Sequence, residues 1–176
     1  MIWSDRTLRE HQACVVTGYN AAHVNPASYD LTLSNVLRRV HPIWSMPDLA
    51  GDDSLPRWGE PETFIDAWLG PGEFILCASA ETVSIPLDCV ALLFCKSSAG
   101  RNGLEHLHAG LGDPGFTGQW TWELHNVAPW PIRLIAGQRL MQHVIMTLDQ
   151  RALIPYAVNG RYQGQQGPTP ARQEVR

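Results

Sequence analysis

The sequence predicts an all-β domain, built as a barrel or a sandwich, in which helix is a minor component. Prolines at positions 26, 42, 47, 56 and 61 argue against a long helix in the first third of the chain, because proline interrupts helical hydrogen bonding. From Thr63 onward, short apolar or alternating runs are separated by turn sequences, at the close spacing typical of small barrels and sandwiches. The length of 176 residues suits one domain with a substantial core.

The chain begins with a predicted short helix. Either Ser4 or Asp5 is a suitable N-cap for a helix over residues 7–10. Strands are predicted at residues 64–69, 74–78, 83–87, 90–95, 119–126, 131–135 and 140–148. The turns between them include Gly70-Pro71-Gly72, Asp113-Pro114-Gly115 and Ala136-Gly137-Gln138.

The strand at 119–126 has the clearest alternation of side chains. The period of two places Trp120, Trp122 and Leu124 on one face of this strand. Thr121, Glu123 and His125 share the other face. Position alone favours Glu123 as an ordinary surface carboxylate, because the polar face of a strand is usually the solvent side.

Composition excludes several classes of partner and compartment. With 13 Lys and Arg against 17 Asp and Glu, the net charge of −4 does not fit a nucleic-acid coat or a polybasic membrane binder. The chain has no apolar run near the ~18 residues that a membrane span requires. Its four cysteines show no C-x-x-C spacing and its N-terminus has no secretory pattern, so we expect a cytoplasmic protein with free thiols.

Missing motifs exclude further enzyme classes. The sequence has no G-x-x-x-x-G-K-[ST] phosphate loop. Its single G-x-G-x-x-G match, Gly110 to Gly115, contains Pro114 and does not open a helix, so we interpret it as chance. No histidine begins an H-x-E and no P-C-x-x-C follows, which excludes a zinc-type deaminase site.

The segment from Lys96 to Arg101 combines two cations, two hydroxyls and a glycine directly after a predicted strand. Lys96 is the only lysine in the chain, beside 12 arginines. Backbone N–H groups and cationic side chains in such a turn can converge on a phosphate chain. Composition alone does not distinguish a phosphate site from an ordinary exposed turn.

The C-terminal residues 159–176 have almost no aliphatic side chains, which is typical of a mobile segment. One interpretation is a frayed terminus. The other is a lid, because Arg161, Tyr162 and Gln165 are suited to closing over an anionic ligand that contains a ring.

Read together, six segments show that the chain resembles the dCTP deaminase family, within the trimeric dUTPase superfamily. They occur in the family's order over about residues 21–172 and resemble its dUMP-forming members most in style. The segments are Asn25 to Asn35, Pro71-Gly72-Glu73-Phe74, Lys96 to Leu104, Ala109-Gly110 with Asp113 to Phe116, Glu123-Leu124-His125-Asn126, and Arg161 to Pro168.

The resemblance implies a distorted, jelly-roll-like β barrel of the dUTPase-like (β-clip) type, with a few short helices. It implies one domain over residues 1–158 and a flexible C-terminal lid over residues 159–176. It also implies a homotrimer whose nucleotide sites lie between neighbouring subunits. Mg²⁺ would enter with the triphosphate without a metal site of the protein's own, no zinc would be required, and dTTP is a plausible effector.

The resemblance also implies roles for individual residues. Glu123 matches the catalytic glutamate, Ser97 would hold the attacking water, and Arg101 would steady the carboxylate or the developing charge. Further matches to the family's nucleotide contacts are Lys96, Ser98, Ala99, Gly100, Ala109, Asp113, Thr121, Trp122, Gln142, Tyr156, Arg161 and Gln165. Arg161 stands where a lysine is common.

The implied activity is hydrolytic deamination of dCTP at C4, giving dUTP, with onward cleavage to dUMP and diphosphate as an open possibility. A plain dUTPase and a catalytically silent trimeric nucleotide-sensing or protein-binding homologue are the alternatives. His108 and Gly112 replace the Thr and Ile of a common His-x-Thr-Ala-Gly-x-Ile-Asp pattern, and Met141 and His143 replace Gly and Leu. These departures indicate either a modified cytosine as substrate or sequence drift.

Overall fold

The computed structural model describes residues 1–40, 58–107 and 109–172. Its helices are α1 (Asp5–Glu10), α2 (Ser97–Arg101) and α3 (Tyr156–Asn159). Its strands are β1 (Val15–Thr17), β2 (Val24–Asn25), β3 (Ser28–Arg39), β4 (Glu62–Thr63), β5 (Asp66–Leu69), β6 (Phe74–Ser84), β7 (Cys89–Cys95), β8 (Leu104–His106), β9 (Leu111–Gly112), β10 (Thr117–Asn126), β11 (Ile132–Ile135) and β12 (Arg139–Thr147).

The main sheet curls around the core in the order β8-β10-β6-β3-β12-β7-β9. Strand β1 pairs with β6, whereas β2 and β4 pair with β3. A separate two-stranded sheet contains β5 and β11. These strand pairs are antiparallel, so the predicted all-β class with a few short helices is confirmed.

Two strands differ from the sequence-based expectation. The run predicted at 74–78 and the start of the run predicted at 83–87 form one strand, β6, which ends at Ser84, so residues 85–87 lie outside it. The two runs join because the pairing of β6 with β10 continues across the polar residues between them through a register shift. The central strand β3 was not predicted. Residues 28–34 of this strand are almost all buried, since it lies between β6 and β12. Asp30 and Thr32 alternate with Tyr29, Leu31 and Leu33, so the strand has a polar face that is nevertheless largely covered.

Helix α2 also corrects the expectation of a turn. Residues 97–101 form one short α-helix after β7, and the carbonyl of Lys96 accepts from the N–H groups of Ala99 and Gly100. Helix α1 is confirmed and begins at Asp5, with Ser4 at the N-cap.

The core lies inside the curled sheet. In β10 the predicted alternation is confirmed, since Trp122 and Leu124 are fully buried whereas Thr121, Glu123 and His125 are partly exposed. All four cysteines are free thiols, as predicted, and burial raises the pKa of Cys14 and Cys77 to about 12. Within the described ranges, no helix has the length and hydrophobicity needed to cross a membrane.

His143 on β12 is a fully buried polar residue of this core. Its ring meets Trp120 edge to face with a centroid distance of 5.6 Å, and neither ring nitrogen has a hydrogen-bond partner in the protein. Desolvation of the charged form lowers its pKa from 6.5 to about 3.

The burial of His143 predicts a loss of stability in acid. Its pKa is lower in the folded state than in the unfolded state, so stability is complete above pH 6.5 and falls as the pH decreases from there towards 3. Between pH 7 and pH 5 this histidine should cost about 2 kcal/mol of unfolding free energy. Urea denaturation of wild type and His143→Leu at both pH values measures the difference. His125→Leu is the control, and equal pH dependence in wild type and His143→Leu would contradict the prediction.

Candidate active site

A cavity of about 420 Å³ opens between β10, β6, the segment 109–116 and the C-terminal tail. It combines apolar walls with a few polar groups, the usual character of a small-molecule site. Its lining residues are Trp58, Phe74, Leu76, Ala109, Leu111, Asp113, Phe116, Trp120, Thr121, Glu123, Tyr156, Tyr162, Gln165, Thr169 and Ala171.

Strand β10 supplies the central polar side chains of this cavity. Thr121 and Glu123 are on its partly exposed face, as the alternation predicted. Trp120 alternates away from them and still lines the cavity. The β10–β6 pairing shifts register between Gln119 and Thr121. There the backbone N–H of Trp120 donates to the Ser79 hydroxyl at 2.9 Å. We attribute the reach of Trp120 to this bulge, since bulges redirect side chains.

Glu123 lies beside a histidine. Its Oε2 lies 3.2 Å from Nε2 of His106 on the adjacent strand β8, without the alignment of a full hydrogen bond. The side chain of His106 is 2% exposed and that of Glu123 is 24% exposed. A half-buried carboxylate beside an imidazole is a suitable group for moving protons.

Another part of the cavity lining comes from the segment between Ala109 and Phe116. Gly110 lies so close to Leu93 that an added Cβ would be 2.7 Å from the Leu93 Cβ, so this position requires glycine. The predicted turn at Asp113 is confirmed, since the Asp113 carbonyl accepts from Phe116 N–H and Gly115 has a φ of +88°. This turn positions Asp113 at the cavity.

The tail packs against its own β10 and closes one side of the cavity. Gln119 exchanges hydrogen bonds with the Gln165 backbone and side chain, at 3.0 Å and 2.7 Å. Thr121 contacts Gly167 and Thr169. Arg38 on β3 donates to the carbonyl of Pro168 at 3.1 Å and to that of Gly59 at 2.8 Å. The tail is therefore anchored from two strands.

The residues of α2 that were predicted to bind phosphate do not line this cavity. Ser98 and Ala99 line a second cavity of about 290 Å³, with Trp130, Arg133 and Arg139 among its other walls. Ser97, Gly100 and Arg101 are exposed at the surface. Within one chain, Ser97 and Arg101 therefore lie outside the cavity of Glu123, although the family resemblance implies that all three serve the same reaction.

Lys96 faces the interior of the sheet. Its Nζ forms an ion pair with the carboxylate of Asp30, whose side chain is 1% exposed. Asn25 Nδ2 also donates to this carboxylate at 2.9 Å, and an Arg139 Nη1 lies 3.4 Å away. Lys96 is thus the principal counter-charge of a buried carboxylate.

The remaining sequence-predicted residues lie in different places. Ala109, Asp113, Thr121, Tyr156 and Gln165 line the cavity with Glu123. The Trp122 side chain is buried in the core, and Gln142 donates to the Ser28 hydroxyl at 3.1 Å. Arg161 lies on the exposed part of the tail, where its Nη1 meets the Arg172 carbonyl at 3.5 Å. His108 lies outside the described residues.

Sequence reasoning did not single out His106 or Trp120 as parts of this site. His106 reaches Glu123 only because β8 pairs with β10, with His106 opposite Leu124. Within the described part of the chain, no cluster of three or more His, Cys, Asp or Glu side chains could hold a metal ion.

Comparison with known proteins decides the family. A family model described as dCTP deaminase-like matches residues 2–148. The chain belongs to the dCTP deaminase-like family. It is 37% identical to the "dCTP deaminase, dUMP-forming" of Pseudarthrobacter chlorophenolicus, over 99% of this chain and 96% of that protein. It is 39% identical to the protein of the same name from Thermobifida fusca, over 98% of this chain and 92% of that protein.

Solved structures agree on the fold of this dCTP deaminase-like chain. The 2'-deoxycytidine 5'-triphosphate deaminase from Agrobacterium tumefaciens superposes with a TM-score of 0.65 at 22% identity. The match covers 83% of this chain and 47% of that one, so the chain spans about half the length of that protein. A mutant dUTPase from phage phi11 of S. aureus, solved with a structural Mg(II) ion, has a TM-score of 0.50 at 18% identity, covering 75% and 84% of the two chains.

Proposed function

We propose that this protein hydrolyses the C4 amine of dCTP and carries the product on to dUMP and diphosphate. The observation that carries the proposal is Glu123, a half-buried carboxylate beside His106 in a cavity of about 420 Å³ with mostly apolar walls. A pyrimidine needs such walls around a group that can exchange protons. The relatives named above, both dUMP-forming dCTP deaminases, support this choice of substrate and product.

Deamination requires proton movements that one carboxylate can serve. Glu123 takes a proton from water as the water oxygen attacks C4, and delivers that proton to N3. It then takes the proton of the new C4 hydroxyl and delivers it to the amine, so that the C4=O bond forms, the C4–N bond breaks and ammonia leaves. Such acid/base assistance is typically worth ~10² to 10⁴ in rate. His106 Nε2, at 3.2 Å, restrains the Glu123 carboxylate during these transfers.

The complete site is proposed to form between subunits of a homotrimer. Ser97 and Arg101 are exposed and lie outside the cavity of Glu123, so a neighbouring chain is the natural source of these groups. In that arrangement Ser97 holds the attacking water and Arg101 stabilises developing charge. Ser98, Ala99 and Gly100 of the same helix would bind the triphosphate. Exposed apolar side chains near this helix, among them Trp130 beside Ser98 and Val127 beside Gly100, favour coverage by another chain.

Asp113 is proposed to serve both the deoxyribose and the second reaction. Its place in the cavity wall provides a carboxylate for the phosphate end of the nucleotide. Mg²⁺, a hard cation with oxygen ligands, would enter with the triphosphate and neutralise its charge, with Asp113 facing the metal-bound phosphates. The domain over residues 1–158, a cytoplasmic location, and an effector role for dTTP belong to the same proposal.

The experiment is incubation of the purified protein with dCTP or dUTP and Mg²⁺, followed by separation of dUTP, dUMP, diphosphate and ammonia. We expect ammonia and dUMP from dCTP. Ammonia with accumulation of dUTP would limit the activity to deamination. Diphosphate from dUTP without any ammonia from dCTP would select a dUTPase, and no product from either nucleotide would select a silent binding protein.

A further inference from the structure

Trp120 forms a wall of the Glu123 cavity, and its indole is fixed from three directions. A Cβ added at Gly112 would lie 2.8 Å from the outer edge of the indole, so the ring occupies the space that any side chain at position 112 would need. Phe116 lies at a ring distance of 5.7 Å and His143 at 5.6 Å. With 4% of its surface exposed, Trp120 has no room to move away from a ligand.

The chemistry of cytosine identifies the edge that this wall meets. Under the proposed function, C4 lies at Glu123, so its two ring neighbours N3 and C5 point along the walls on either side. The N3 and O2 edge carries hydrogen-bond acceptors, and burying these without donors is unfavourable. The C5–C6 edge carries none. An apolar wall built from Trp120, Phe116 and Leu111 therefore fits the C5 edge.

We propose that Trp120 is a specificity-determining residue that lies against C5 of the pyrimidine and excludes cytosine nucleotides with a C5 substituent. His143 and Gly112 are positioning residues outside the cavity lining: His143 packs against the indole, and the absence of a side chain at Gly112 leaves the indole its space. Gly112 therefore does not leave an empty space for a larger base, since Trp120 fills it. This inference rests on the proposed deamination of dCTP and names the bases that the site accepts.

The test is the ratio of kcat/KM for dCTP to that for 5-methyl-dCTP, measured by ammonia release. A methyl group that a rigid wall cannot accommodate is expected to lower kcat/KM by about 10-fold or more in wild type. Trp120→Leu should bring the ratio close to one, and Trp120→Phe should give an intermediate value. Wild type that uses both nucleotides equally, or a ratio that Trp120→Leu leaves unchanged, would overturn the proposal.

Two comparisons distinguish steric exclusion by Trp120 from other roles of its indole. Trp120→Phe removes the N–H and retains an aromatic surface, so an equal loss with both nucleotides would indicate a hydrogen bond to the base and overturn the wall. Trp68→Leu is the matched control, since Trp68 is an exposed indole on β5, and it should keep the wild-type ratio.

The positioning residues are tested by the same ratio. His143→Leu should reduce the discrimination, because the indole loses its edge-to-face neighbour. Gly112→Ala should raise KM for dCTP, because the new methyl pushes the indole into the cavity. A lower melting temperature with unchanged ratio and KM would assign both residues to folding alone and overturn this part.

Binding distinguishes failure of the inference from failure of the proposed function. Dissociation constants of dCTP and 5-methyl-dCTP are measured for Glu123→Gln with and without Trp120→Leu. If wild type releases no ammonia but Trp120→Leu still equalises the two affinities, the role of Trp120 is supported and the proposed deamination is wrong. If ammonia is released but Trp120→Leu changes neither the ratio of kcat/KM values nor the ratio of dissociation constants, deamination is supported and the role of Trp120 is wrong. If neither nucleotide binds, both are wrong.

Discussion

Replacing Glu123 with Gln is expected to lower kcat for ammonia release from dCTP by at least 100-fold. The amide keeps the size of the side chain and cannot take a proton from the attacking water. Because Glu123 lies at the edge of the core with part of its side chain exposed, the variant should fold like wild type. Its dissociation constant for dCTP should change little, since the apolar walls and the phosphate contacts remain.

Glu105→Gln is the matched control for this result. Glu105 is a more exposed glutamate on the neighbouring strand β8, paired at 3.7 Å with His125 rather than His106. It should retain wild-type kcat. Kinetics of purified variants, with circular dichroism to verify folding, measure both outcomes. A Glu123→Gln enzyme with undiminished kcat would remove Glu123 from the chemistry.

The β10 strand explains why part of the site was predictable. Its alternation of aromatic and polar residues requires only local information, and the burial of Trp122 and Leu124 fixes which face holds Glu123. The burial of the polar face of β3 has no such local signal. Asp30 and Thr32 look like surface residues in the sequence, but Asp30 is buried against Lys96, 66 residues away, and the partly buried Thr32 donates to Glu81 on β6.

His106 and Trp120 could not be assigned from the sequence because their roles depend on strand pairing. The β8–β10 register brings His106 to Glu123, and the shift in the β10–β6 register accompanies the entry of Trp120 into the cavity. Neither register has a sequence signal. The departure at Gly112 was visible, but its meaning depends on an indole eight residues away in the chain.

Lys96 belongs to a predicted phosphate-binding motif and also has a structural role. The sequence associates this lone lysine with the phosphate contacts of Ser97 to Arg101, and its part in triphosphate binding remains a prediction. In the fold its Nζ pairs with Asp30, a partner 66 residues away that no local pattern indicates. The two roles make different predictions, since one concerns nucleotide affinity and the other the free energy of unfolding.

We expect Lys96→Met to lower the free energy of unfolding by about 3 kcal/mol, because it leaves the buried Asp30 carboxylate without its main counter-charge. Asn25 and Arg139 still contact this carboxylate, so the loss of unfolding free energy should lie at the lower end of the range measured for broken buried ion pairs. Urea denaturation measures it.

The control for Lys96→Met is Arg133→Ala, which removes an exposed ion pair with Asp66 and should cost less than about 1 kcal/mol. Adding Asp30→Asn to Lys96→Met should recover part of the loss, because the unpaired charge disappears and the coupling between two contacting groups is not additive. A Lys96→Met protein as stable as wild type, with weakened triphosphate binding, would show that the ion pair contributes little and that the lysine serves the ligand. Destabilisation with unchanged affinity would assign Lys96 to the fold alone.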